Sequence, residues 1–154
     1  MSSAPTDYDI CSFGQCTQLG WRVTRYVIGP DVALVLAEQR AKIPGHHRLL
    51  APTLLRSQVL AQLFGDVHRG LLTRKEANQR LDYLRGLQIR LLGDRALQQV
   101  AWRLAEELGW KDTFVAEYLA LTKLQADALV TRDADLIRAA ENVLVFATID
   151  DLLS

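Results

Sequence analysis

Apolar residues along this chain form short continuous runs, separated by longer stretches in which apolar positions recur every three or four residues. The runs are RYVI (25–28), RLLAP (48–52), QIRLL (88–92), ALVT (128–131) and VLVFAT (143–148), and they predict short buried strands. The stretches between them predict amphipathic helices. Continuous apolar strands separated by helices are typical of a parallel sheet covered on both faces. We therefore predict an α/β fold with a central parallel sheet of four to five short strands.

Several helix starts and ends are marked by capping residues. Thr73 followed by Glu76 forms a capping box. Asp94 is a good N-cap for the helix that Gly109 ends. Asp31 also stands where a helix N-cap is expected, and it directly follows the first strand, where ligands bind in open α/β sheets. The residue types alone leave both interpretations of Asp31 open.

Length and composition indicate one domain. The chain has 154 residues, of which 49% are hydrophobic, enough for a substantial core. Residues 1–23 show no sustained period and are predicted to form a poorly ordered or peripheral N-terminal extension of a domain at 24–154. Cys11 and Cys16 lie in this extension, and a single C-x4-C pair does not define a zinc site.

Charge and hydropathy restrict the function classes. The formal net charge is zero, so any contact with phosphate must come from local groups of Arg and Lys. There is no apolar run long enough to span a bilayer and no basic-then-apolar signal pattern, so we expect a cytoplasmic protein with no membrane partner. His46 and His47 lie in a Gly-Pro turn, which predicts a solvated loop.

The candidate chemistry lies in KDTFVAEYLALTKLQADALVTRDADL (111–136). Asp112 stands at the start of a helix that returns the chain to the strand ALVT, and Asp133 follows that strand. This arrangement brings the two carboxylates to one rim of the sheet, where they repel each other unless a cation lies between them. An oxygen-only pair suits a hard divalent ion such as Mg²⁺ or Mn²⁺.

Four segments in this order resemble the PIN domain, and within it the VapC-type toxins of bacterial toxin–antitoxin pairs. They are YVIGPDVALVL (26–36), APTLLRSQVLAQL (51–63), the stretch 111–136 and VLVFAT (143–148). The resemblance covers residues 26 to about 153. The most specific part is Asp112 opening a Tyr-Leu-Ala-Leu helix together with the Leu-Val-Thr-x-Asp strand end. The resemblance implies a three-layer α/β/α fold.

The resemblance also implies a metal-dependent ribonuclease whose acidic cluster holds Mg²⁺ or Mn²⁺. Carried over residue by residue, the catalytic and metal-binding carboxylates are those of Asp31, Asp112 and Asp133. Asp135 is a variable neighbour that we count as a further metal ligand. Thr131, the small hydroxyl residue of the motif, would orient a water or a phosphate oxygen.

One position departs from the family pattern. The helix after the second strand usually carries a glutamate, and this chain has Gln58 there. An amide oxygen coordinates a metal or accepts a hydrogen bond from metal-bound water, but it brings no charge and cannot act as a base. The site therefore loses one of four expected charges, and its metal affinity should fall. Asp135 would compensate in part.

The leading hypothesis is hydrolysis of RNA phosphodiester bonds by the toxin of a toxin–antitoxin pair. Arg132 and Arg56 are candidates for phosphate contacts, and a solvated helix face is an equally open interpretation of each. The resemblance further implies an antitoxin partner and a homodimer. The alternatives are a catalytically degenerate module that binds RNA or protein, favoured by Gln58, and an α/β domain whose aspartates only cap helices.

Overall fold

The computed structural model describes residues 23–154. The predicted extension, with Cys11 and Cys16, lies outside the described residues except for Val23. Five strands are present, with β5 shorter than predicted: β1 (Thr24–Ile28), β2 (His47–Pro52), β3 (Ile89–Leu92), β4 (Ala128–Val130) and β5 (Phe146–Ala147). Seven helices lie within the described range: α1 (Pro30–Gln39), α2 (Leu54–His68), α3 (Arg74–Gly86), α4 (Arg95–Leu108), α5 (Phe114–Gln125), α6 (Ala134–Ala140) and α7 (Ile149–Leu153).

The strands form one parallel sheet in the order β3-β2-β1-β4-β5, flanked by the helices. The α/β fold predicted from the apolar runs is therefore confirmed. At the centre, Ile28 of β1 lies opposite Val130 of β4. The two strands are parallel, so the residues that follow each of them lie at the same rim of the sheet. Ligands bind at this rim, outside the carboxyl ends of the strands, in open α/β folds.

Helix α5 is the most buried of the helices between residues 23 and 154. It packs against α4 and against β1, β2 and β4. Its buried positions occupy most of its circumference, as expected for a helix enclosed by other elements: Ala116, Tyr118, Leu119, Ala120, Leu121 and Thr122. Among residues 23–154, no helix is both long enough and apolar enough to cross a membrane.

Several helix ends have the caps that the sequence predicts. The Thr73 hydroxyl accepts from the backbone N–H of Glu76 at 3.1 Å, and the Glu76 carboxylate accepts from the Thr73 N–H, also at 3.1 Å. Asp94 accepts from the Leu97 N–H at 2.9 Å. Gly109 ends α4 with a φ of 69°, a left-handed conformation that glycine adopts without steric cost. These predicted caps are confirmed.

The N-cap interpretation of Asp31 is wrong. Helix α1 begins at Pro30, its N-cap is Gly29, and no side chain caps it. Proline suits this first position because it has no N–H that needs an acceptor. The Asp31 carboxylate is thus available for contacts outside its own helix.

The loop interpretation of His47 is also wrong. His47 begins β2, is buried, and its Nδ1 lies 2.8 Å from the carbonyl oxygen of Leu152 in α7. Its ring meets that of Tyr26 edge to face, with centroids 5.0 Å apart. His46 beside it is exposed, as predicted. The C-terminal helix therefore supplies the hydrogen-bond partner that allows a histidine to be buried here.

Candidate active site

A cavity of about 240 Å³ opens at the rim formed by the ends of β1 and β4. It is lined by residues from both strand ends and from helices α1, α2, α5 and α6: Gly29, Pro30, Asp31, Gln58, Gln62, Val115, Tyr118, Leu129, Thr131, Asp133 and Leu136. Two of the predicted carboxylates, the glutamine at the glutamate position and the predicted threonine therefore share one cavity. We call it the acidic cavity.

Asp31 is joined to the end of β4, a hundred residues further along the chain. Its Oδ2 accepts from the backbone N–H of Arg132 at 2.9 Å and from the hydroxyl of Thr131 at 3.2 Å. Hydrogen bonds to a carboxylate are about twice as strong as neutral ones. They orient the Asp31 side chain and leave its Oδ1 without a hydrogen bond to any residue from 23 to 154.

Thr131 connects the two aspartates that line the acidic cavity. It is buried, and its hydroxyl donates to Asp31 while accepting from the backbone N–H of Asp133 at 3.2 Å. The Asp133 carboxylate in turn caps α6 through its Oδ1, which accepts from the N–H groups of Asp135 and Leu136 at 3.0 and 3.2 Å. Among the described residues, each of these two carboxylates thus has one oxygen that accepts hydrogen bonds and one that accepts none.

Gly29 is required by the position of Asp31. A Cβ atom added to Gly29 would lie 2.7 Å from Oδ1 of Asp31, far inside van der Waals contact. The clash would fall on a short side chain whose other oxygen is already hydrogen-bonded, so the carboxylate cannot turn away without losing those bonds. The Gly-Pro-Asp order in the sequence is the signal for this requirement.

Gln58 is held by a tyrosine that sequence reasoning did not select. The Tyr118 hydroxyl donates to Oε1 of Gln58 at 2.5 Å. Burial raises the pKa of the Tyr118 phenol well above its ordinary value of 10.0, and the carboxylates of Glu117 and Asp31 raise it further. Tyr118 therefore stays protonated and acts as a donor, which directs the carbonyl oxygen of Gln58 towards it. Nothing in the apolar pattern of α5 distinguished Tyr118 from a core residue.

Glu117, the neighbour of Tyr118 in the first turns of α5, was also missed. It is half-buried, and burial raises the pKa of its carboxyl. Glu117 is not among the residues that line the acidic cavity, and a raised carboxyl pKa is found at functional sites and at structural carboxylates alike. Its sequence position, on a helix with apolar residues on both sides, was the available signal.

The other predicted residues lie outside the lining of the acidic cavity. Asp112 is exposed, and its Oδ1 accepts from the Phe114 N–H at 3.1 Å at the start of α5. Asp135 is exposed and forms an ion pair with Arg138. Arg132 contributes its backbone N–H to Asp31, and Arg56 lines a separate apolar groove.

The cavity's oxygen ligands fit a hard divalent cation only in part. Mg²⁺ is commonly held by one or two carboxylates together with substrate phosphates, and Asp31 and Asp133 supply two. Gln58 and Thr131 add neutral oxygens. Within residues 23–154, however, no three side chains of His, Cys, Asp or Glu lie close enough together to hold a metal ion. The roles assigned to Asp112 and Asp135 therefore stay predictions.

A five-stranded parallel sheet in the order β3-β2-β1-β4-β5, flanked by helices, is the architecture of a PIN-like domain. Two solved structures share it with this chain. PAE2754 from Pyrobaculum aerophilum is 20% identical, with a TM-score of 0.66 over 86% of this chain and 95% of that one. VapBC2 from Rickettsia felis, bound to a DNA fragment from their promoter, is 17% identical, with a TM-score of 0.53 over 81% and 98%.

Comparisons of the sequence itself find no relatives: no protein-family model matches it, and neither does any curated protein. At 17% and 20% identity, the structural likeness extends to the fold. It confirms the PIN-like fold predicted from the sequence.

Proposed function

We propose that this chain is a metal-dependent endoribonuclease that hydrolyses RNA phosphodiester bonds. The observation that supports the proposal most is the pair Asp31 and Asp133 in one cavity. The protein engages one oxygen of each carboxylate and leaves the other for a ligand. Side chains oriented in this way lose little conformational freedom when they bind a cation.

Asp31 and Asp133 would hold Mg²⁺ or Mn²⁺ in the acidic cavity. Asp112 precedes α5 and lies outside the lining of that cavity, so its part in binding the ion is a separate prediction. Bound there, the ion would polarise the scissile phosphate and activate a water for attack. Thr131 keeps the Asp31 carboxylate in place through its hydroxyl. Tyr118, protonated at neutral pH, positions Gln58, which would accept a hydrogen bond from a water near the ion.

The second candidate is a degenerate module that binds RNA or protein without turnover. It is favoured by Gln58, whose carbonyl oxygen already accepts from Tyr118 and which adds no charge to the cavity. With only two carboxylates in the lining, cation affinity would be lower than in a site with four, because affinity for hard cations follows ligand charge.

We also propose an antitoxin as the protein partner, as in the VapBC2 toxin–antitoxin complex. The surface for it would be the apolar groove of about 420 Å³ between α2, α3 and β3, which includes Leu55, Val59, Leu81 and Leu84. Leu60 at its edge is 57% exposed. A groove of this size suits the apolar face of a helical segment. The homodimer remains a prediction from the resemblance.

The test is cleavage of a mixed pool of structured RNA with Mg²⁺, Mn²⁺ or EDTA. Wild type should cleave only with metal, and Asp31→Asn and Asp133→Asn should each lower the rate by roughly a hundredfold, because a charged ligand is lost. Asp82→Asn is the matched control, since Asp82 is an exposed aspartate on α3 that pairs with Arg85. Asp112→Asn tests its predicted role separately.

Cleavage that persists in EDTA, or that Asp31→Asn and Asp133→Asn leave unchanged, would contradict the proposal. A folded wild-type protein that binds RNA but neither cleaves it nor binds Mn²⁺ would instead support the degenerate module. Mn²⁺ binding is followed by calorimetry, so the two candidates are separated by a measurement that does not depend on choosing the right RNA.

A further inference from the structure

The outward face of α4 carries an unusual combination of side chains. Its residues recur every three or four positions over little more than two turns, and they are the described residues that line a shallow, open cavity of about 440 Å³: Arg95, Gln98, Gln99, Trp102 and Arg103. The opposite face of α4, with Leu97, Ala101, Leu104 and Ala105, is buried. The outward set therefore faces away from the core. We call it the Trp102 face.

Trp102 is the aromatic centre of this face, and 66% of its surface is exposed. Tryptophan is highly buried on average, so an indole this exposed is uncommon. The indole N–H donates to Oε1 of Glu106, one turn further along α4, at 2.9 Å. This bond holds the ring over the helix and satisfies its only polar atom, which leaves the π-surface for contact.

The two arginines beside Trp102 differ from three other exposed arginines in having no ion pair within the part of the chain that the structure describes. Within residues 23–154, neither Arg95 nor Arg103 forms an ion pair with a carboxylate. Three other exposed arginines are each paired with an aspartate three residues earlier in the sequence: Arg69, Arg85 and Arg138. The Trp102 face thus offers unpaired positive charge on both sides of an exposed indole.

We propose that the Trp102 face binds single-stranded RNA. Trp102 would stack on a base, Arg95 and Arg103 would contact phosphates, and the amides of Gln98 and Gln99 would bond to base edges or sugars. Aromatic side chains that stack on bases within a positively charged groove are the usual means of binding single strands. The proposal rests on the proposed function only in taking RNA, and not another polyanion, as the ligand.

Charge explains why a second surface is needed. The chain is neutral overall, and the acidic cavity repels phosphate until a cation is bound, so affinity for RNA must come from arginines elsewhere. Another basic cavity, near Arg40 and Lys42, has no Phe, Tyr or Trp among its described lining residues. There, Arg48 is already engaged, because it donates to the carbonyl oxygens of Gly45 and His47.

The test measures binding without cleavage. A fluorescein-labelled RNA of about twelve uridines, long enough to span a typical single-strand site, is titrated with full-length protein in EDTA and followed by anisotropy. Trp102→Ala should weaken binding by about tenfold through lost stacking, and Trp102→Phe should recover most of it. Arg95→Ala with Arg103→Ala should lower the slope of log affinity against log salt by roughly 1.4, for two phosphate contacts.

Two matched controls should bind as wild type. Phe64→Ala removes another exposed aromatic ring, on α2, that stacks on His68 with centroids 6.3 Å apart. Arg69→Ala removes an exposed arginine that is already paired with Asp66. All substituted side chains are exposed, so circular dichroism should show an unchanged fold.

Wild-type protein that binds no RNA, or Trp102→Ala that binds as tightly as wild type, would overturn the inference. So would a Trp102→Ala variant that dissociates from dimer to monomer in sedimentation with unchanged RNA affinity, because the face would then join two copies of the chain. RNA binding that depends on Trp102 without metal-dependent cleavage would support the inference while the proposed nuclease failed.

Discussion

Asp31 and Asp112 both stand at the start of a helix near the same rim, yet the structure gives them different surroundings. Asp31 is half-buried and bonds to Thr131 and Arg132, a hundred residues away in the sequence. Asp112 is exposed, and within residues 23–154 its carboxylate bonds only to the N–H of Phe114, two residues on. The Asp31 carboxylate joins the start of α1 to the residues that follow β4, whereas the Asp112 carboxylate bonds locally at the start of α5.

Because of this difference, substitutions at Asp31 and Asp112 should affect the stability of the fold and the candidate activity to different extents. A substitution at Asp31 removes hydrogen bonds between distant elements as well as a candidate metal ligand. At Asp112 the same change removes a candidate ligand and only a local bond. Activity alone would not distinguish the two positions, since both are predicted ligands, but activity measured together with stability would.

The largest effect is expected from Asp31→Ala. We predict a loss of about 2 kcal/mol in the free energy of unfolding, because two bonds to a carboxylate disappear and the Thr131 hydroxyl is left buried. Asp112→Ala should lose only about 0.5 kcal/mol, in the range of an exposed helix-cap bond. Urea denaturation followed by circular dichroism measures both. Equal losses of stability at the two positions would mean that the bonds from Asp31 to Thr131 and Arg132 contribute no more than the local bond of Asp112.

Gln58→Glu tests how the number of charges in the acidic cavity affects metal affinity. It restores a third charge to the cavity, and the Tyr118 hydroxyl can donate to a carboxylate as it does to the amide. We expect Mn²⁺ to bind about tenfold more tightly and any RNA cleavage to be faster. Without metal the variant should be less stable than wild type, because the new carboxylate lies in the same cavity as Asp31 and Asp133.

Calorimetric titration with Mn²⁺ tests this, with Gln79→Glu on the exposed side of α3 as the control for added charge. If Gln58→Glu gains neither affinity nor rate, Gln58 lies outside the functional site, and the resemblance is misaligned at that helix.

The smallest effect is expected from Tyr118→Phe and depends on pH. A phenol whose pKa is raised by folding stabilises the folded state below the unfolded pKa of about 10, and this contribution is lost as pH rises through the folded value. Tyr118→Phe should therefore be less stable than wild type at about pH 8, where it lacks the bond to Gln58, and the gap should narrow above about pH 10.

Urea denaturation at the two pH values measures the gap. Tyr26 and Tyr83 also have pKa values raised by burial, so some loss of stability at high pH should remain in the variant. A gap that widens with pH would mean that the Tyr118 phenol does not hold its proton more tightly in the folded state.

Features governed by neighbouring residues could be predicted from the sequence. The five apolar runs correspond to the five strands. The caps at Thr73 and Asp94 formed as expected, because each cap depends on a backbone N–H three residues away. The PIN-like order of segments led to Asp31, Gln58, Thr131 and Asp133, which the structure brings to one cavity. Those residues follow strand ends, and parallel strands align their ends.

The contacts that orient those residues required the tertiary structure. Nothing near Asp31 in the sequence points to Thr131, and nothing in the apolar helix α5 points to Tyr118 as the partner of Gln58. His47 was assigned to a loop because it follows a Gly-Pro turn. The acceptor that allows it to be buried, the carbonyl oxygen of Leu152, lies near the C-terminal end of the sequence and could not be predicted from neighbouring residues.

The sequence by itself determined the fold class, the order of strands and helices along the chain, and four of the residues that line the acidic cavity. It did so because periodicity, capping and turn formation are set within a few residues. Only the tertiary structure decided which carboxylate is held across the sheet, which hydroxyl positions Gln58 and which face of α4 remains outside the core. These depend on packing between segments far apart in the chain, where hydrogen bonds and burial are settled only when the sheet has formed.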